Sequence, residues 1–261
     1  MRQSTSCSAL IVAALLSLAS ATAQDYKVAK VKDPGTIKGR VFFGGDFPKP
    51  EPFLVPGVYA QHCGTSKPNE EFIVSPENKG LKNAVIYLEG IKAGKAFSKV
   101  APKLQQEGCQ YVPHVQVVPA GASVEIVNQD DTLHNVHSYF DPDGKRSTLF
   151  NIAQPIKGKK DHKKLTKVGV VKVECDVHRW MSSYLIVRDN PYYALTKADG
   201  SYEITGVPPG SYELVMWQEG LGQGKKRVVV KAGEVTEVPF QIGKSEDDES
   251  AGKAKKDKGD R

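Results

Sequence analysis

The sequence predicts an all-β protein built as two β-sandwiches. Three observations carry this. Short apolar and β-branched runs recur from Thr36 to Ile242. Gly, Pro, Asn and Asp punctuate them at close intervals. No stretch holds a sustained helical period, and only residues 90–108 admit a short helix. The 261 residues suffice for one large or two small domains.

The chain opens on Met1-Arg2, an apolar run Ala9–Ala19, then Ala21-Thr22-Ala23. A charged start, a short apolar core and small residues at a cleavage point read as a signal peptide, residues 1–23. The run is too short for a membrane span, which needs about 20 apolar residues. The expectation is a protein secreted to the periplasm or outside the cell, with no transmembrane segment. Export changes the cysteine arithmetic. Cys7 leaves with the leader, and Cys63, Cys109 and Cys175 remain. An odd number in an oxidising compartment marks one special thiol. The simplest solution is a Cys63–Cys109 disulfide that leaves Cys175 free. The alternative has Cys63 and Cys109 binding metal beside His62 and His114.

Residues 24–35 are polar. Thr36–Phe43 reads as a strand before a Gly44-Gly45 turn, and Pro48, Pro50, Pro52 and Pro56 keep the next stretch extended. Strands follow at Asn83–Leu88, Val115–Val118, Ser123–Val127, Asn135–Tyr139, Val168–Cys175 and Tyr184–Val187. Much of the net charge of +6 sits in Lys157–Lys164. That run reads as a solvated loop, placed some 30 Å from the Cys175 end at about 3.3 Å per residue. With 36 basic against 30 acidic residues, the mild excess does not imply nucleic acid. After Asp189-Asn190-Pro191 the character shifts. Ala194–Ile204 reads as a hairpin around Asp199-Gly200. Gly206–Trp217, Arg227–Val230 and Val235–Ile242 supply further strands. The tail 244–261 has no apolar residue larger than Ala, so it cannot bury a core and is expected to be disordered.

The chemistry concentrates in Cys175-Asp176-Val177-His178-Arg179-Trp180-Met181. Gly169, Val171 and Val173 share a strand face with Cys175, so the thiol leaves the strand on its apolar side. A thiol, an imidazole and a thioether on one tight loop form most of a mononuclear copper site: the first two bind strongly and the thioether weakly. One more histidine completes the set. His134 and His137 compete for that place. On a strand His134 lies with Val136, which belongs in the core, so His134 is the expected ligand. His137 is then a surface residue or a hydrogen-bond partner of the site, and Asn135 a tether for the Cys175 loop. The bland readings are a buried structural thiol at Cys175 and core packing at Met181, while Trp180 either shields the metal edge or simply covers the sandwich end. His62, His114 and His162 read as structural or surface histidines. No G-x-S-x-G, H-E-x-x-H or phosphate loop is present, so no enzymatic activity is expected.

Two resemblances follow from quoted residues. Tyr111-Val112-Pro113, Pro119-Ala120-Gly121, Val124–Asn128, Asp130, His134-Asn135-Val136, then Cys175, His178 and Met181 resemble the plastocyanin-like cupredoxins over residues 108–188. The two residues between His178 and Met181 are fewer than such proteins usually have. This resemblance implies a cupredoxin-like Greek-key sandwich and the copper ligands His134, Cys175, His178 and Met181. Asp199-Gly200-Ser201-Tyr202-Glu203-Ile204 and Pro208-Pro209-Gly210-Ser211-Tyr212-Glu213-Leu214 resemble the carboxypeptidase regulatory-like, transthyretin-like sandwiches. That family usually begins with strands like Ile37–Val41 and Ala84–Leu88, which stand about a hundred residues upstream here. The expected arrangement is a split Ig/transthyretin-like sandwich, 36–92 with 190–243, carrying an inserted copper domain at 93–189; a tandem order is the rival. Together the resemblances imply an exported copper protein for electron transfer, with a redox partner such as a c-type cytochrome. Periplasmic copper delivery or sequestration is one alternative. A structural or carbohydrate-binding β-sandwich with a non-redox metal site is another.

Overall fold

A computed structural model describes residues 26–142 and 145–243. The signal peptide expected at 1–23 and the tail expected at 244–261 lie outside them. The chain runs β1 Lys27–Val28, β2 Gly35–Phe43, β3 Phe53–Leu54, a 3-10 turn Gly57–Tyr59, helix α1 Ala60–Cys63, β4 Ser66–Lys67, β5 Val85–Glu89, β6 Ala93–Gly94, β7 Lys103–Gln106, β8 Tyr111–Val112, β9 Val115–Pro119, β10 Ser123–Asn128, β11 His134–Phe140, β12 Ser147–Gln154 and β13 Lys160–Lys164. It continues through β14 Gly169–Glu174, β15 Ser182–Arg188, β16 Tyr193–Leu195, β17 Ser201–Val207, β18 Gly210–Gln218, β19 Gly222–Val230, β20 Val235–Glu237 and β21 Phe240–Ile242. No helix among the described residues is long and apolar enough to cross a membrane.

The strands form two sandwiches, so the fold class is all-β. One sandwich faces the sheet β13-β10-β7-β8 onto the sheet β12-β11-β14-β15-β9. Strand alternation supplies its core: Leu104, Val124, Ile126, Val136, Val171, Val173, Leu185 and Val187 are all buried together. The other sandwich faces β16-β5-β18-β19 onto β17-β2-β20, with β21 also on β2. Ile37, Val41, Ile86, Leu88, Ile204, Leu214 and Val230 fill it. The early strands therefore pair with the late ones. Ile37 of β2 stands opposite Ile204 of β17, and Leu88 of β5 opposite Leu214 of β18. A third cluster, Val85, Tyr87, Val115, Ile186, Val215 and Trp217, joins the outer faces of β5 and β18 to β9 and β15.

Three local expectations are corrected. Residues 90–108 form no helix; they carry the short strands β6 and β7, and Leu104 and Gln106 are buried on β7. The Asp199-Gly200 turn forms, with Gly200 N donating to Lys197 O at 2.9 Å, but its flanking strands are not a hairpin. β16 pairs with β5 and β17 with β2, in opposite sheets. Buried Thr196 explains the split: its hydroxyl donates to Leu81 O at 2.7 Å and accepts from Ala84 N at 2.9 Å, which fastens β16 to the β5 side. Gly200, at φ +79, needs its missing Cβ there, since one would stand 2.3 Å from Val41 O.

The third correction concerns Lys157–Lys164. Lys160–Lys164 is strand β13, not a loop, with Lys160 opposite Val127 and Lys164 opposite Ser123. Nor is the whole run distant from the Cys175 end. Gln154, three residues before Lys157, stands opposite His134, and Lys157 reaches Asp131 at 3.5 Å. The chain doubles back between two facing sheets, so a distance counted along one extended strand does not apply. Strand β12, which carries Gln154, was not read from the sequence; its apolar Leu149, Phe150 and Ile152 are only half-buried against the core.

Candidate metal centre

β11 begins at His134, and β14 ends at Glu174, just before Cys175. These strands pair with His137 opposite Glu174, and the same register carried on brings Asn135 level with Asp176, with Asn135 N 3.5 Å from Cys175 Sγ. β14 and β15 pair with Glu174 opposite Ser182, so residues 175–181 are the loop that joins them. Two backbone bonds close it: Met181 N donates to His178 O at 2.9 Å, and Cys175 N to Met181 O at 3.3 Å.

The structure brings His134, Cys175 and His178 together. One donor atom of each lies within 4.8 Å of the others. The two Nδ1 atoms are 2.9 Å apart, and Cys175 Sγ is 4.0 Å from His178 Nδ1. All three are buried, His134 at 0%, His178 at 1% and Cys175 at 2% exposure. Two imidazoles and a thiol converging on one point form a donor set that suits copper. Met181 is buried in the same core cluster as Cys175.

The local electrostatics favour a thiolate. Burial alone would raise the Cys175 thiol. Hydrogen bonding from His134 and His178 and from the backbone N–H groups of Asn135 and His178 outweighs it and brings the thiol to about 6. The two backbone donors stand 3.5 and 3.4 Å from Sγ. Asp130 orients His134. Its Oδ2 lies 2.9 Å from Nε2, so that nitrogen carries a hydrogen and Nδ1 faces the site. Burial works against charging His134, but Asp130 and Cys175 raise it above the usual imidazole range. Asp130 itself is held low: burial raises it, and the bonds from His134, Cys109 and Gly108 prevail.

Asn135 spans the loop. Its Oδ1 accepts from Asp176 N at 2.6 Å, and its Nδ2 donates to Asp176 Oδ2 and Asn151 Oδ1, both at 2.9 Å. His137 lies outside the donor set. Its Nδ1 is 3.1 Å from Asp176 and its ring stacks on Tyr139 at 4.1 Å. His62 is exposed on α1, and His162 is exposed on β13. His114 is buried instead, between Ser182 O and the carboxylate of Glu219. Cys63 and Cys109 form a disulfide, so neither is a ligand, and Cys175 is the free cysteine among the described residues.

Trp180, singled out in the sequence, packs against His178 with ring centroids 5.0 Å apart. Sequence reasoning missed several other residues around the centre. Tyr59 packs against His178, with ring centroids 4.8 Å apart. Tyr111 donates from its hydroxyl to Asn135 O at 2.5 Å and Glu174 O at 3.1 Å. Asp130 was visible only as a turn residue; its place four positions before His134 was the available signal. Nothing local marks Tyr59, which arrives from a segment over a hundred residues away.

The comparisons with known proteins complete the description. A family model described as polysaccharide lyase family 4, domain II, matches residues 163–238, from β13 to the end of β20. No curated protein matches the chain. Solved structures similar to it include a purple cupredoxin from Nitrosopumilus maritimus, 24% identical over 33% of this chain and 99% of that one, TM-score 0.30. A copper-containing nitrite reductase from Thermus scotoductus is 23% identical over 37% of this chain and 24% of its own, TM-score 0.30. Amicyanin from Paracoccus versutus is 20% identical over 35% and 84%, TM-score 0.30.

Proposed function

We propose that this is an exported copper protein that transfers single electrons through a mononuclear centre held by His134, Cys175 and His178, with Met181 as a weak fourth ligand. The observation that carries the reading is the buried convergence of two Nδ1 atoms and one thiol within 4.8 Å. What copper supplies in such a set is a one-electron couple. The chain's own residues do the rest. Asp130 fixes the His134 tautomer, backbone N–H groups hold the Cys175 thiolate, and Asn135 clamps the loop that carries it. A preset ligand frame moves little when charge changes, which is what fast electron exchange requires. In this reading the chain catalyses no reaction of its own and meets a redox protein such as a c-type cytochrome. The second sandwich is a carboxypeptidase regulatory-like support.

Copper titration followed by visible spectroscopy tests the proposal. The protein should develop an intense sulfur-to-copper charge-transfer band. Cys175→Ser should remove it, because a hydroxyl is a poor soft ligand, and Met181→Leu should change the potential more than the affinity. Copper bound without that band would replace electron transfer with copper delivery or sequestration.

A further inference from the structure

The centre carries a cover that its ligands do not require. β3 and β4 pair, with Phe53 opposite Lys67 and Leu54 opposite Ser66, so the ends of segment 53–67 are held together. Val55 and Cys63 of this segment are buried in the same core cluster as Cys175. Between them Tyr59 stands edge-on to His178, centroids 4.8 Å apart at 84°, and 5.8 Å from the Trp180 ring. The cover is fastened at its far end by the Cys63–Cys109 disulfide. Cys109 O accepts the Trp180 Nε1 hydrogen at 3.0 Å, and Cys109 N donates at 2.8 Å to Asp130 Oδ2, the oxygen that holds His134. The loop is thus anchored to the same groups that position the ligands, and His178 keeps 1% exposure beneath it.

We propose that Tyr59 is a specificity-determining residue. Its ring closes the His178 side of the centre to small molecules that would bond a metal there or react with Cys175, while leaving the centre open to electrons, which need no direct bond. The metal half of this statement rests on the proposed function; the shielding of Cys175 does not. A ring suffices for exclusion, because the argument uses packing area and not the hydroxyl. Loss of the ring leaves a gap between solvent and two buried ligands that the short loop cannot refill.

The test is the alkylation rate of Cys175 by iodoacetamide in the metal-free, disulfide-intact protein, read on the Cys175 peptide by mass spectrometry. Tyr59→Ala should react about tenfold faster than wild type, as expected when a local opening becomes easier. Tyr59→Phe should react at the wild-type rate. Global unfolding also exposes Cys175, so the rates are repeated in low urea. Opening of the cover alone gives a rate that barely responds to urea; global unfolding gives one that climbs with it. Equal rates for wild type and Tyr59→Ala would overturn the proposal, as would a Tyr59→Ala rate that climbs steeply with urea. On the copper-loaded protein, azide should alter the visible spectrum of Tyr59→Ala and leave wild type unchanged. A wild type that binds no copper sinks the proposed function alone, because the alkylation result still decides the cover.

Discussion

At the scale of single residues, Cys175 is the candidate ligand whose acidity its surroundings shift furthest. Its thiol falls from the ordinary 9.0 to about 6, against the effect of burial, because four hydrogen-bonding groups prefer the thiolate. A lowered acid contributes stability that is present above the unfolded value and is lost as pH falls through the folded one. The relevant window therefore runs from about 9 down to about 6. Thiolate ultraviolet absorption of the metal-free protein should rise with a midpoint near pH 6 and be missing in Cys175→Ser. A midpoint near 9 would show that the hydrogen bonds do not hold the anion. Copper affinity should weaken as pH drops below that midpoint, because protons then compete for the sulfur.

At the scale of elements, the β14–β15 loop sets the ligand spacing, and the 53–67 segment sets access to it. The disulfide that ties this segment down spans 46 residues. In the chain-entropy account a closed loop of that length is worth about 4 kcal/mol. The double variant Cys63→Ser, Cys109→Ser should lose stability on that order, measured as a fall in the urea midpoint. An unchanged midpoint would mean that the tether constrains the unfolded chain very little.

At the scale of the whole molecule, two sandwiches share one junction. Trp217 is buried there with its ring 5.3 Å from Tyr184, and the Arg188 guanidinium lies 3.7 Å over the Tyr87 ring. The 53–72 stretch adds a second tie, since its 53–67 part packs on His178 through Tyr59 while Gln218 Nε2 donates to Glu71 O and Phe72 packs against the second core. Removing Trp217 takes a large ring from a closed apolar cluster. Trp217→Ala should cost about 3 kcal/mol in chemical denaturation. A cost near zero would mean that the sandwiches stand independently and that this cluster stabilises neither.

The sequence by itself determined the all-β class, because alternation and turn residues are local properties that a strand cannot hide. It also marked His134, Cys175 and His178, whose donor atoms the structure gathers within 4.8 Å, and Met181, which is buried in the same core cluster as Cys175. One loop carries three of them, and the strand face shared with Val136 directs the fourth inward. Asn135 as the tether was legible for the same reason, being one step along that strand. Only the tertiary structure decided the rest. The Asp199-Gly200 turn looks like a hairpin in isolation, but Thr196 and β2 draw its two arms into different sheets. The lysines of 157–160 seemed remote along the chain, but the fold returns them to the His134 end. Tyr59 reaches His178 only because a disulfide and a shared carboxylate hold a distant segment over the loop. Local patterning specifies what each strand buries; which strand lies beside it, and what closes over its end, is settled by the packing of the whole chain.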